Sequence, residues 1–111
     1  MIPVIFSEGY KKQKLSLKRF TEVVSTNAAM RFNLYPKKGS LQPGSDADFA
    51  IINPNISWKF ETGYLLSKGE TSPFDNEIFT GKVVLTILRG KIIYSDAAGI
   101  AVEKGYGRFL T

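Results

Sequence analysis

Tyr35-Pro36-Lys37-Lys38-Gly39-Ser40-Leu41-Gln42-Pro43-Gly44-Ser45-Asp46-Ala47-Asp48-Phe49-Ala50-Ile51-Ile52-Asn53-Pro54 is the stretch on which the reading of this chain turns. Pro36 lacks the N–H that a helix would need, so it stops whatever helix precedes it. Gly39 and the Pro43-Gly44 pair mark turns. Phe49 to Ile52 read as a short apolar strand that Pro54 ends. Helices are therefore expected before this stretch and strands after it, with the stretch joining the last helices of one large domain to part of a second, β-rich one.

Upstream, Ser16 stands where an N-cap belongs, its hydroxyl placed to accept from an unpaired backbone N–H. Leu17, Phe20, Val23 and Val24 recur at offsets that share one helix face. Ser25-Thr26-Asn27 predicts a break, after which Asn27 caps a second short helix carrying Ala28, Ala29, Met30 and Phe32. Asn33 suits the left-handed residue that ends it. The two helices are expected to pack through Leu17, Phe20, Val24, Phe32 and Leu34. Residues 2 to 10 are an apolar segment ending at Gly9, and Lys11 to Lys14 form a polar connector.

Downstream the period becomes two. Ile56-Ser57-Trp58-Lys59-Phe60 alternates, which predicts a half-buried strand with Ile56, Trp58 and Phe60 on one side. Residues 62 to 80 read as a long, mostly irregular connection of the kind that often carries function. Val83 to Leu88 and Ile92 to Tyr94, separated by Arg89-Gly90-Lys91, give a hairpin signal. The glycine-rich tail around Tyr106 is expected to be extended and held by its aromatics.

Composition narrows the functions open to the chain. With 111 residues, 43% of them hydrophobic, there is enough apolar surface for a core. The net charge of +5 is uneven: residues 1 to 38 hold eight Lys/Arg and two Glu, whereas residues 39 to 111 hold seven and eight. The excess reads as the solvated face of helices. No apolar run approaches the roughly 20 residues of a membrane span, and nothing at the start directs export, so a cytoplasmic chain is expected. The chain contains no histidine and no cysteine. It cannot assemble the usual zinc ligands, a Ser-His-Asp triad or a Cys-His pair.

Each remaining candidate site has a plainer explanation. Asp46 and Asp48 stand two apart and could face a divalent cation, but an Asp in a turn usually accepts backbone N–H bonds. Ser67-Lys68 and Ser72 suggest a nucleophile with a lysine base, although neighbours on an extended segment point apart. Gly99, Gly105 and Gly107 do not follow a strand into a helix as a dinucleotide fingerprint must, and Lys37-Lys38-Gly39-Ser40 lacks the order of a phosphate loop. Lys11, Lys12, Lys14, Lys18 and Arg19 lie near Phe20, but that aromatic belongs to the core face, so no specific nucleic-acid site is expected.

Ser16-Leu17-Lys18-Arg19-Phe20, Ser25 to Gly39, Gly44-Ser45-Asp46-Ala47-Asp48, Leu66-Ser67-Lys68, Ser72-Pro73-Phe74, Gly81 to Gly90 and Gly105-Tyr106-Gly107-Arg108-Phe109 resemble the C-terminal region of the cyclic amidohydrolases. That group includes allantoinases, dihydroorotases, hydantoinases and dihydropyrimidinases. The opening Ile2 to Gly9 and the closing Gly105 to Leu110 look most like allantoinases, while Ser67-Lys68-Gly69 with Ser72-Pro73-Phe74 is shared with dihydroorotases. The family usually has Pro where Ala28 stands and Gly where Asn33 stands.

The resemblance implies an α+β fragment. Residues 1–35 would be the terminal helices of a TIM-type barrel, residues 36–46 a connector, and residues 47–111 the C-terminal strands of a small composite β-sandwich. A barrel alone takes roughly 250 residues. The parent that it implies carries binuclear zinc on histidines, an aspartate and a carbamylated lysine upstream of everything matched here, and opens a cyclic amide such as allantoin with a zinc-bound hydroxide. For this chain alone the expectation is no catalytic, metal or substrate-binding residue, no cofactor and no activity. Its partners would be the N-terminal part of the parent and other copies of itself, with no membrane and no specific nucleic acid. A stand-alone β-rich module that binds a partner through residues 62 to 80 is the alternative from another class.

Overall fold

The computed structural model describes residues 1–69 and 71–110. It contains three α-helical pieces, α1 (Ile2–Val4), α2 (Leu17–Thr21) and α3 (Asn27–Arg31), and four strands, β1 (Phe49–Lys59), β2 (Ile78–Leu88), β3 (Lys91–Ser95) and β4 (Gly99–Ile100). The strands form one sheet in the order β1-β2-β3-β4, with β2–β3 and β3–β4 antiparallel. The result is a small α+β piece. No helix among the described residues is long and apolar enough to cross a membrane.

The helical half follows its sequence signals at both ends and departs from them in the middle. Ser16 is extended, and its hydroxyl accepts from Arg19 N–H at 3.1 Å, which caps α2. Asn33 adopts φ 57°, and Ala29 O accepts from Leu34 and Tyr35 N–H beyond it. The predicted break at Ser25-Thr26-Asn27 does not occur. A π-helical turn, Glu22–Thr26, runs from α2 into α3, so Ala28 lies inside a continuous helical run and Asn27 caps nothing. Ser and Thr carry only a modest intrinsic penalty in a helix, and here the Thr26 hydroxyl donates to Gly39 O at 3.0 Å instead of competing for a local backbone group. Phe20 and Ala29 are buried, but Leu17 and Phe32, both expected in the packing, are 53% and 72% exposed.

Pro54 does not end a strand. β1 continues through Asn53-Pro54-Asn55, so the two predicted strands are one. The physical reason is position. β1 lies at the edge of the sheet, where a proline is tolerated because one side of the strand has no ladder to donate to, and Asn53 Oδ1 accepts from Asn55 N–H at 3.0 Å. Beyond it Ile56, Trp58 and Phe60 are half-buried while Ser57 and Lys59 are exposed, as the alternation predicted. The irregular connection is shorter than expected, because β2 already starts at Ile78. Its neck is closed by Phe60 N–H to Glu77 O (2.8 Å) and Asn76 N–H to Phe60 O (2.9 Å). Thr62 donates its amide and hydroxyl to Asp75 Oδ1, which holds the Asp75 carboxyl below its usual 3.8.

The chain folds as two compact units, Met1–Val24 with Asn53–Lys82, and Ser25–Ile52 with Val83–Thr111. β1 and β2 pass from one unit to the other. The first unit has its core at Phe6, Phe20 and Phe79. Phe6 meets Phe20 edge-on at 5.3 Å and Tyr10 at 5.1 Å, and Phe79 is ringed by Trp58, Phe60 and Phe74. Ser7, buried among them, accepts from Thr80 N–H at 3.1 Å.

Gly81 has φ 101°, and a Cβ there would fall onto the Phe6 ring. Trp58 Nε1–H donates to Gly81 O at 3.1 Å. In the second unit a Cβ on Gly39, at φ 77°, would stand 2.5 Å from Ala29 Cβ, so this glycine lets the connector lie directly on the helix.

Candidate functional site

In the second unit, polar side chains converge on residues 36–48. Asp46 and Asp48 leave a turn in which Ser45 Oγ–H donates to Pro36 O (2.7 Å) and Asp46 N–H to Lys37 O (2.9 Å). The turn folds the chain back on itself. Lys38 is thereby carried between the two carboxylates, its ammonium pairing with Asp46 at 2.8 Å and more closely with Asp48. The Lys38 side chain is only 14% exposed. That distinguishes this cluster from the solvated pair of Lys12 and Glu8, 59% and 42% exposed, which contributes little.

The other oxygen of Asp48 reaches the β2–β3 hairpin. Arg89 N–H donates to Asp48 Oδ1 at 2.8 Å, and Gly90 N–H donates to Ala47 O at 2.9 Å. With Leu88 paired to Lys91, the hairpin loop is the two residues Arg89-Gly90 and not the three expected. Both have positive φ, 49° and 77°, the geometry of a type I′ turn. Arginine is an unusual occupant of its first position, where Asn, Asp or Gly avoid the steric penalty of a left-handed backbone.

The guanidinium of Arg89 turns to the tail, donating to Tyr106 O at 2.6 Å and lying 4.5 Å from the centre of the Tyr106 ring. Lys91 Nζ lies 5.1 Å from the same ring, and Tyr106 O–H donates to Leu88 O at 3.2 Å. Lys38, Asp46, Asp48, Arg89 and Tyr106 thus form one clasp that ties connector, hairpin turn and tail together. Tyr106 docks as the sequence suggested for the tail, whereas Phe109 is 92% exposed.

The clasp responds to pH at both extremes. Burial alone would lower the Lys38 ammonium, but its hydrogen bonds to Asp46 and Asp48, with their negative charge, outweigh it and raise the group above its usual 10.5. The Lys38 hydrogen bond in turn holds the Asp46 carboxyl below its usual 3.8. Lys38 then contributes stability in full below 10.5 and loses it as pH rises through its higher folded value. Asp46 contributes in full above 3.8 and loses it as pH falls through its lower folded value. Lys38→Met should therefore flatten the pH dependence of the thermal midpoint on both flanks while lowering the plateau between them. Parallel profiles for Lys38→Met and wild type would contradict this.

Sequence-derived candidates outside the clasp have ordinary roles. Ser67 Oγ–H donates weakly to Gly69 O at 3.4 Å, and Ser72 Oγ accepts from Phe74 N–H at 3.2 Å, so neither meets Lys68 as a base. Gly99 and Gly105 have φ 73° and 89° and serve turns. Lys38 of the lysine-glycine run is occupied by carboxylates, Arg19 pairs with Glu22 at 3.0 Å, and Phe20 is buried and offers no stacking face. Among the described residues no group of three or more His, Cys, Asp or Glu side chains converges as metal ligands would. Asp46 and Asp48 both face Lys38, so this donor set does not fit a zinc ion.

Residues 3–93 match the Amidohydrolase family. The chain belongs to that family. The match includes Lys38, Asp46, Asp48 and Arg89 of the clasp. Among curated relatives, the amidohydrolase chain is 39% identical over 110 residues to the L-hydantoinase of Paenarthrobacter aurescens, covering 99% of this chain and 24% of that protein. It is 38% identical over 109 residues to the allantoinase of Bacillus licheniformis, covering 98% and 24% respectively. It superposes on the L-hydantoinase (dihydropyrimidinase) structure from Arthrobacter aurescens with a TM-score of 0.91 at 39% identity, over 98% of this chain and 24% of that one. The chain spans about a quarter of the length of the relatives it matches.

Proposed function

We propose that this amidohydrolase chain is a scaffolding portion of a larger cyclic amidohydrolase and does no chemistry on its own. In this reading residues 1–35 complete the helical shell of the parent's barrel, residues 36–46 connect, and residues 47–111 supply strands of a composite sandwich. The observation that carries it is the pairing of two facts. Nearly all of the chain aligns with one quarter of an L-hydantoinase, and it does so without any histidine or cysteine.

Eight of the described polar side chains support the same reading, because they are spent on the fold. Ser7, Ser16, Thr26, Ser45, Asp48, Thr62, Asp75 and Arg89 all hydrogen-bond to backbone or to each other. The binuclear zinc and carbamylated lysine of the parent belong to its remaining length, and no step of the reaction is assigned to a residue here. The parent's substrate is a ring amide of the allantoin or hydantoin type, and identities of 38% and 39% to relatives of those names do not rank the two. A cytoplasmic setting agrees with the absence of cysteine.

Purified chain supplied with zinc should give no turnover of allantoin, hydantoin or dihydroorotate above the buffer rate. Metal-dependent ring opening by this polypeptide would overturn the proposal.

A further inference from the structure

The tail and the connector are far apart in sequence, yet both depend on one residue. Arg89 has a left-handed backbone, φ 49°, which an L side chain resists. Two bonds from Ala47 and Asp48, the residues into which the connector leads, oppose its relaxation, Arg89 N–H to Asp48 Oδ1 and Gly90 N–H to Ala47 O. From the other side, the guanidinium is anchored on the carbonyl and ring of Tyr106, and the Tyr106 hydroxyl returns to Leu88 O, one residue before the turn. Loss of either set removes part of what fixes Arg89, and the other set then binds a residue free to relax.

We infer that residues 101–110 form a strap that closes on the hairpin turn through Tyr106, and that Arg89 couples its closure to the docking of the connector at Asp48. The strap has two states. Closed, Tyr106 lies against Arg89, Lys91 and Leu88. Open, the tail leaves as a unit and takes Phe109 and Leu110 with it, while the connector's grip on Arg89 and Gly90 weakens. Among the described residues few contacts other than those of Tyr106 hold the tail: Ala101 N–H donates to Ile93 O at its start, and residues 107–110 are exposed. A segment held by one side chain is the kind that opens locally without global unfolding.

Coupling is reciprocal, so it can be read from both ends. In the full chain, Tyr106→Ala should speed amide exchange at Arg89 and Gly90 by about fivefold or more, with Phe60 and Asn76 in the first unit unchanged. Asp48→Ala should in turn speed tryptic cleavage after Lys104 by a comparable factor. Wild-type exchange at Arg89 and Gly90 in Tyr106→Ala would overturn the inference, because the tail would then dock independently. Faster exchange at Phe60 and Asn76 as well would also overturn it, since opening would be global. Should Asp48→Ala fail to fold, the Tyr106→Ala exchange rates decide alone.

Discussion

Phe6→Ala should destabilise the chain by about 3–5 kcal/mol. Phe6 is 4% exposed and joins three pieces of sequence, meeting Tyr10 on its own helical segment, Phe20 on α2 and the backbone of Gly81 on β2. Removing the ring loses the transfer free energy of a large aromatic side chain and leaves a void bordered by a rigid strand, which cannot collapse into it. A chain of this size has about 5–15 kcal/mol of stability in all, so the midpoint of urea unfolding should fall by a large fraction. Trp58 is the single tryptophan and donates to Gly81 O, which makes its emission a direct reporter of this core. A midpoint within error of wild type would show that the Phe6 core does not hold the first unit together.

The second large effect is expected at the other face of the same contact. Gly81→Ala forces a methyl group into the Phe6 ring, an overpacking cost of about 1–3 kcal/mol. It also places an L side chain at φ 101°, which adds strain of order 1–3 kcal/mol. The two variants must be coupled, because Phe6→Ala removes the ring that the new methyl group strikes. The double variant should therefore lose clearly less than the sum of the two singles. Strict additivity would separate the backbone strain from the ring contact and refute the packing explanation of this glycine.

How much of this was legible in the sequence differs from element to element. The Ser16 cap, the left-handed Asn33 and the alternation of Ile56, Trp58 and Phe60 are local features, each decided by a few adjacent residues, and the structure has them. The hairpin was also visible, one residue too loose, because Arg89 is not a residue that sequence reasoning puts at positive φ. Pro54 misled because its effect depends on whether a strand is central or at an edge, which is a property of the sheet. Ser25-Thr26 misled because a π-turn absorbs the residues that should have broken the helix.

The clasp was half legible. Asp46 and Asp48 stood out as a pair, and of the backbone N–H bonds expected of turn carboxylates the structure has one at Asp48, from Arg89 of the hairpin, while Asp46 pairs with the Lys38 ammonium instead. That Lys38 folds back between them, and that Arg89 and Tyr106 complete the cluster, are long-range facts. The signals available for those two were an arginine where a type I′ turn wants Asn or Gly, and a tyrosine set between two glycines in a polar tail. Gly81 gave no local signal, because what requires it is a ring 75 positions earlier in the chain.

The central claim is that this chain supplies scaffold and no reacting group, and an exchange of segments tests it most directly. The 110-residue segment of the Paenarthrobacter aurescens L-hydantoinase that aligns with this chain can be replaced by the chain itself, and steady-state kinetics of the folded chimera measured with hydantoin and allantoin. The chimera should keep the recipient's ring preference and its KM for hydantoin. A folded chimera whose preferred ring follows the transplanted segment would contradict it, because residues of this chain would then be touching the substrate.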